Sequence, residues 1–144
     1  MKARIGWTIA LCALLCFAAI GCRAEVIKED VAVRITVSLE TDDDVYSVDL
    51  GFGNDGNVRS NSACCNADGS RMTGDVVFDV TGLQLTSLTD AEHAEVSVSI
   101  TTEPGDGAPE VPVGMLTLPL TQGSEYALTI SGNAADGYVL VVKE

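Results

Sequence analysis

The sequence predicts an all-β protein, a Greek-key type β-sandwich of about seven or eight strands preceded by a cleaved signal peptide. Three observations carry this expectation. Short runs rich in β-branched residues alternate apolar and polar positions with a period of two. Turn signals built on Gly, Pro, Asn and Asp separate these runs at fairly even spacing. After residue 24 no segment carries the apolar periodicity of a convincing helix.

The strands follow in order. Val31, Val33, Ile35, Val37 and Leu39 alternate with Ala32, Arg34, Thr36, Ser38 and Glu40, the cleanest strand pattern in the chain. Asp42, Asp43 and Asp44 form a turn, and Tyr46, Val48 and Leu50 give a second strand, expected to pair with the first as a hairpin. The stretch from Gly51 to Gly74 does not read as alternating strand and is expected to be a long loop. Val76, Phe78 and Val80 resume the alternation. Leu83 and Leu85 continue it one residue out of phase after Gly82, which suggests a bulge. Ser87 to His93 is a polar connection with room for one helical turn. Three runs follow: Val96, Val98, Ile100; then Leu116, Leu118, Leu120; then Tyr126, Leu128, Ile130. Gly132 to Asp136 turns the chain into a last strand through Tyr138, Leu140 and Val142.

The first 24 residues are read apart from the domain. Lys2 and Arg4 precede an uncharged, mainly apolar run from Ile5 to Ile20, and small and polar residues follow at Gly21 to Ala24. That order is a secretory signal peptide. The apolar run falls short of the roughly 20 residues of a membrane span, which disfavours a retained signal anchor. Two cuts fit. Cys22-Arg23-Ala24 suits cleavage after Ala24, whereas Ala19-Ile20-Gly21-Cys22 resembles a lipobox in which Cys22 becomes the lipidated first residue. Either cut exports the protein. The organisation is then a signal peptide at 1–24, a short acidic lead at 25–30 and one sandwich domain at 31–144.

Charge excludes one class of partner. The chain carries 8 basic and 21 acidic residues. Lys2, Arg4 and Arg23 leave with the signal peptide and all the acids stay, so five bases face 21 acids and the mature charge is −16. Such a surface repels nucleic-acid phosphates and anionic lipid heads. Contact with a membrane is expected only through a lipid on Cys22.

Cys64 and Cys65 are the only cysteines left in the body, so packing and not disulfides must build the core. As sequence neighbours their Cα atoms lie about 3.8 Å apart across a trans peptide. Disulfides prefer about 4.4 Å or more, so a vicinal bond here would be strained and easily reduced. The alternatives are pairing with another chain and two incidental thiols.

Asn66, Asp68, Ser70 and Asp75 partly follow the oxygen-ligand spacing of a calcium loop, with Gly69 at the bend. Cys64 at the first position and Asp in place of the bidentate Glu weaken the match. No other cofactor is expected. The single histidine, His93, rules out a two-histidine copper site. Asp90, Glu92 and His93 could meet one zinc but read more simply as polar surface. No Gly-x-Ser-x-Gly elbow occurs, and no spacing singles out a carboxylate pair for glycoside cleavage.

Two parts of the chain resemble cohesin-like bacterial extracellular sandwiches. VAVRITVSLE followed by VYSVDLGFGND is similar to their opening strands and acidic turn. VPVGMLTLPL, GSEYALTISG and ADGYVLVV are similar to their closing strands. The resemblance implies the sandwich fold and a tendency to bind through a surface. Cohesins proper bind dockerin modules with calcium-dependent partners, and no dockerin pattern accompanies this domain. The cysteine-bearing middle has no counterpart.

The expected function is therefore non-enzymatic binding or adhesion outside the cytoplasm, in the periplasm, at the cell surface or on a lipid anchor. The partner is a protein or carbohydrate, and the contact region is the 51–74 stretch with Phe52, Asn54 and Asp55 at its head. Phe52 is the aromatic expected to be exposed there. The alternative is a secreted hydrolase or a redox sensor using Cys64 and Cys65 or an unidentified acid pair.

Overall fold

The computed structural model describes residues 30–143. The signal peptide, both cleavage sites, Cys22 and residues 25–29 lie outside the described residues. Eight strands are present: β1 (Val31–Thr41), β2 (Ser47–Asn54), β3 (Asn57–Cys65), β4 (Asp75–Thr81), β5 (Ala94–Thr101), β6 (Glu110–Leu118), β7 (Ser124–Asn133) and β8 (Gly137–Lys143). One short helix, α1 (Gly82–Thr86), follows β4.

The strands form two four-stranded sheets, β4-β1-β7-β8 and β3-β2-β5-β6. β1 runs parallel to β7, with Val33 opposite Ser124 and Thr41 opposite Gly132; the other neighbours are antiparallel. The period-two pattern works as expected. Val33, Ile35, Val37, Val48, Leu50, Val76, Val80, Val96, Val98, Ile100, Leu128 and Ile130 turn inward and close one core between the sheets. Each large aliphatic side chain so buried contributes roughly 1.5–3 kcal/mol.

Several expectations are corrected. β1 and β2 are not a hairpin. They belong to different sheets, and residues 42–46 cross between them with Val45 buried at the crossing. Val31 is exposed while Ala32 is buried, because β1 has one residue more than β4 between Val31 and Val33 and the bulge moves Ala32 inward. Gly82 marks no bulge. It opens α1, whose N-cap is Thr81: the Thr81 hydroxyl accepts from the Gln84 N–H while the Gln84 carboxamide accepts from the Thr81 N–H. The helical turn thus falls at 82–86 and not within 87–93. β6 begins at Glu110, ahead of the expected Leu116, because Pro112 and Gly114 disguise its first half.

The 51–74 stretch is also corrected. It is not one loop. Its first residues finish β2, and Asn57–Cys65 forms β3 as an antiparallel partner of β2. β3 escapes the alternation test because it is an edge strand whose side chains are all exposed or half-buried. Asp55 (φ 53°) and Gly56 (φ 75°) both occupy the left-handed region and make the two-residue turn of this hairpin. The chains approach closely just before it. A Cβ on Gly53 would stand 2.1 Å from the Asn57 carbonyl oxygen, so only glycine fits.

Candidate functional site

The register of the second sheet brings Cys65, Ser47 and Thr101 into one row across β3, β2 and β5, and Glu110 on β6 pairs with Thr101. The next row holds Ala63, Asp49 and Ser99. These side chains alternate with the buried Val48, Leu50, Val98 and Ile100, so they form the sheet's outer face. The rows consist of small residues, and the loops at 66–69 and 103–108 rise at the end of the face. The result is an open trough of about 540 Å³. A second hollow of about 510 Å³, lined by Ser97, Ser99, Pro112, Gly114 and Met115, shares Glu110 with it.

The trough floor is hydrogen-bonded. Thr101 Oγ1 donates to Ser47 Oγ (3.0 Å), Ser47 Oγ donates to Asp49 Oδ2 (3.0 Å), and Ser99 Oγ donates to Glu110 Oε2 (3.2 Å). These bonds hold Asp49 and Glu110 as acceptors facing out. Glu103 and Asp106 add two more acids, and among the described residues no lysine or arginine lines the trough. Tyr46 also lines it. The arrangement offers carboxylates and small hydroxyls on a firm floor.

The residues singled out in the sequence fall into three groups. Cys65 lies in the trough with Ala63 and Asn66, so part of the 51–74 stretch does line it. Both cysteines are free thiols. As neighbours on an extended strand they point to opposite faces: Cys65 is exposed on the outside, and Cys64 packs half-buried against the core.

Phe52, Asn54 and Asp55 stand apart from it. Phe52, expected to be exposed, is 0% exposed in the core. Reading the strand alternation through Leu50 two residues further places it there. Asn54 is buried as well and fastens the 89–93 loop. Its Oδ1 accepts from the Thr89 and Asp90 N–H groups and the Thr89 hydroxyl, while its Nδ2 donates to the Asp90 and His93 carbonyls. Asp55 is an exposed turn residue.

The calcium candidates Asn66, Asp68 and Ser70 share one turn that is closed by its own bonds. Asp68 Oδ1 accepts from both the hydroxyl and the N–H of Ser70, which hold its carboxyl below the usual range. Asn66 turns its amide N–H2 toward Ser70 and the Arg71 carbonyl. Asp75 sits on β4, where it accepts from the Ser38 hydroxyl (2.7 Å). Asp90 and His93 pair at 2.9 Å on the surface, and this hydrogen bond lowers the Asp90 pKa. Among the described residues no group of three or more His, Cys, Asp or Glu side chains is placed to hold a metal ion.

The trough's remaining wall is formed by residues 103–108, which none of the candidates named from the sequence includes. β5 pairs with β6 up to Thr101 and Glu110, and the connection between them carries Glu103 and Asp106 into the lining that Asp49 shares.

A smaller cavity of about 210 Å³ lies among the residues around Asp42–Val45 and Arg71–Gly74. There Arg71 bonds Asp44 at 2.8 Å, a contact that raises the arginine's pKa. The pair is exposed and worth little to stability.

No family model matches the chain, and no curated protein matches it. Among solved structures it is similar to the crystal structure of the human-specific toxin intermedilysin, with 12% identity and a TM-score of 0.37 over 77% of this chain. The matched region is 23% of the toxin chain.

Proposed function

We propose that this chain is an exported, non-enzymatic binding domain, tethered through Cys22 or released after Ala24, that takes its partner on the outer face of the β3-β2-β5-β6 sheet. The observation that supports this reading is the open trough, whose lining among the described residues holds four acids and no base. Complementary charge steers partners and selects among them. The lining therefore favours a cationic protein segment over an uncharged carbohydrate. The small side chains on the floor leave room for a polypeptide to lie across the strands. The resemblance to cohesin-like sandwiches, which bind through a surface, points the same way. The rival reading is a secreted hydrolase or a redox sensor that uses Cys64 and Cys65 or an unidentified acid pair.

The test must separate the trough from the acidity of the whole chain. Binding of an oligolysine peptide is measured by calorimetry for two triple variants of equal net charge. Asp49→Asn with Asp106→Asn and Glu110→Gln neutralises the trough. Glu40→Gln with Asp75→Asn and Glu125→Gln neutralises the other sheet. The proposal expects the first variant to lose most of the affinity and the second to keep it. Equal losses overturn it. The mass of the exported protein reports export and tethering separately: a start at a lipidated Cys22 or at Glu25 fits, and a retained Met1 does not.

A further inference from the structure

The two ends of the sandwich carry different parts of the chain. β1 starts at Val31, opposite Thr81 at the end of β4, and the Gly123 N–H donates to the Ala32 carbonyl (2.7 Å). Asp30 therefore shares one end with α1, the 119–123 connection and the Asp55-Gly56 turn. β1 finishes at Thr41, where residues 42–46 lead straight into β2. There the Tyr46 N–H donates to the Thr101 carbonyl (2.8 Å) and the Met72 N–H donates to the Val45 carbonyl (2.7 Å). That second end gathers Cys65, Thr101 and Glu110 with the loops at 66–69 and 103–108, so the trough opens at the end away from Asp30.

Chain length then limits how a tethered domain can stand. β1 has 11 residues, and at about 3.3 Å per residue it is about 33 Å long. Asp30 lies eight residues after Cys22 in the sequence, a stretch that reaches at most about 29 Å. Turning the trough end down onto a membrane would lift Asp30 by about the length of β1, which is beyond that reach. Charge opposes the same arrangement. The connections at the trough end carry Asp42, Asp43, Asp44, Asp68, Glu103, Asp106 and Asp136 against the single base Arg71. Anionic lipid heads repel such an end.

We propose that the domain, tethered through Cys22, holds the trough at its membrane-distal end and takes a cationic protein segment that approaches from outside the membrane. The inference rests on the proposed function and adds the side from which the partner comes. A segment lying along the lipid heads, such as the juxtamembrane part of a neighbouring membrane protein, is out of the trough's reach. A segment of a soluble protein, or of a surface facing the membrane, is within it.

The test uses the exported, lipidated chain in phosphatidylcholine vesicles that carry an acceptor dye on a lipid headgroup. A donor dye is placed on Cys65 at the trough or, in a Cys65→Ser chain, on Asp55→Cys at the opposite turn. Energy transfer to the lipid is expected to be about threefold or more weaker from Cys65, because β3 separates the two positions by roughly its own length. Equal transfer, or stronger transfer from Cys65, overturns the orientation. Oligolysine is expected to bind the tethered chain and a free chain starting at Glu25 with affinities within about twofold. Binding by the free chain that is lost on tethering overturns the proposal. Oligolysine that binds neither form refutes the proposed function and the partner assigned here, while the transfer result still judges the orientation. A mature chain without lipid on Cys22 overturns the tether itself.

Discussion

The Asn54 side chain clasps the Asp90 peptide from both sides, donating to its carbonyl at 2.8 Å and accepting from its N–H at 3.3 Å. With the bonds to Thr89 and His93, one buried carboxamide stands in for the sheet pairing that the 87–93 connection lacks. Asn54→Ala would leave several backbone groups unpaired beside the core, at a cost of about 2–4 kcal/mol. Chemical denaturation should show that loss, and hydrogen exchange should show Thr89 and Asp90 exchanging fastest. A change within about 0.5 kcal/mol would mean that the clasp is dispensable.

Tyr138 Oη donates to Asp43 Oδ2 at 2.6 Å, and the same oxygen accepts from the Ala134 N–H at 2.6 Å. The β1–β2 crossover is thus fastened to the β7–β8 hairpin. Burial first, then the bond to Asp43, pushes the Tyr138 pKa up to about 12. An unfolded tyrosine ionises near pH 10. The unfolded state therefore binds fewer protons than the folded state between these values. The stability that Tyr138 contributes is present below pH 10 and is lost as pH rises toward 12. Tyr138→Phe should lower stability at pH 7 by about 1–2 kcal/mol and flatten this alkaline loss. Equal alkaline slopes for the two proteins would contradict the assignment.

Cys65 is exposed in the trough, whereas Cys64 packs against the core. Iodoacetamide should therefore label Cys65 first and reach Cys64 only as β3 opens. Mass mapping reads the order directly. A peptide lighter by two protons and inert to the reagent would instead show a bond between the two thiols, which this strand geometry opposes.

The Asn66–Ser70 turn already satisfies the groups that a cation would need, and Asp75 is held on β4 by Ser38. A chelator should leave the thermal midpoint unchanged, because a ligand specific to the folded state must stabilise it. A rise of several degrees on adding calcium would restore the calcium loop.

The fold was legible wherever a strand had one wet and one dry face. Val96, Val98 and Ile100 against Glu95, Ser97 and Ser99 is such a case, and both sheets were reachable from patterns like it. β3 was not, since an edge strand wet on both faces has no alternation to read. The Asp55-Gly56 pair was the available clue, because that dipeptide favours the two-residue hairpin turn. The hairpin expected of β1 and β2 failed for another reason. A short acidic turn looks the same whether the chain folds back within a sheet or crosses to the next one. The trough was half legible. Cys65 and Asn66 came from the stretch that stood out, but Asp49, Glu103 and Glu110 meet only through the order of strands in the sheet.

The trough as a binding face is tested most directly by mapping backbone amide shifts while an oligolysine peptide is titrated in, with an uncharged oligosaccharide as the second arm. Saturable shifts concentrated at Ala63, Cys65, Thr101 and Gly105–Gly107 with the peptide are the predicted result. Shifts scattered over the acids of both sheets, or none in either arm, would contradict it.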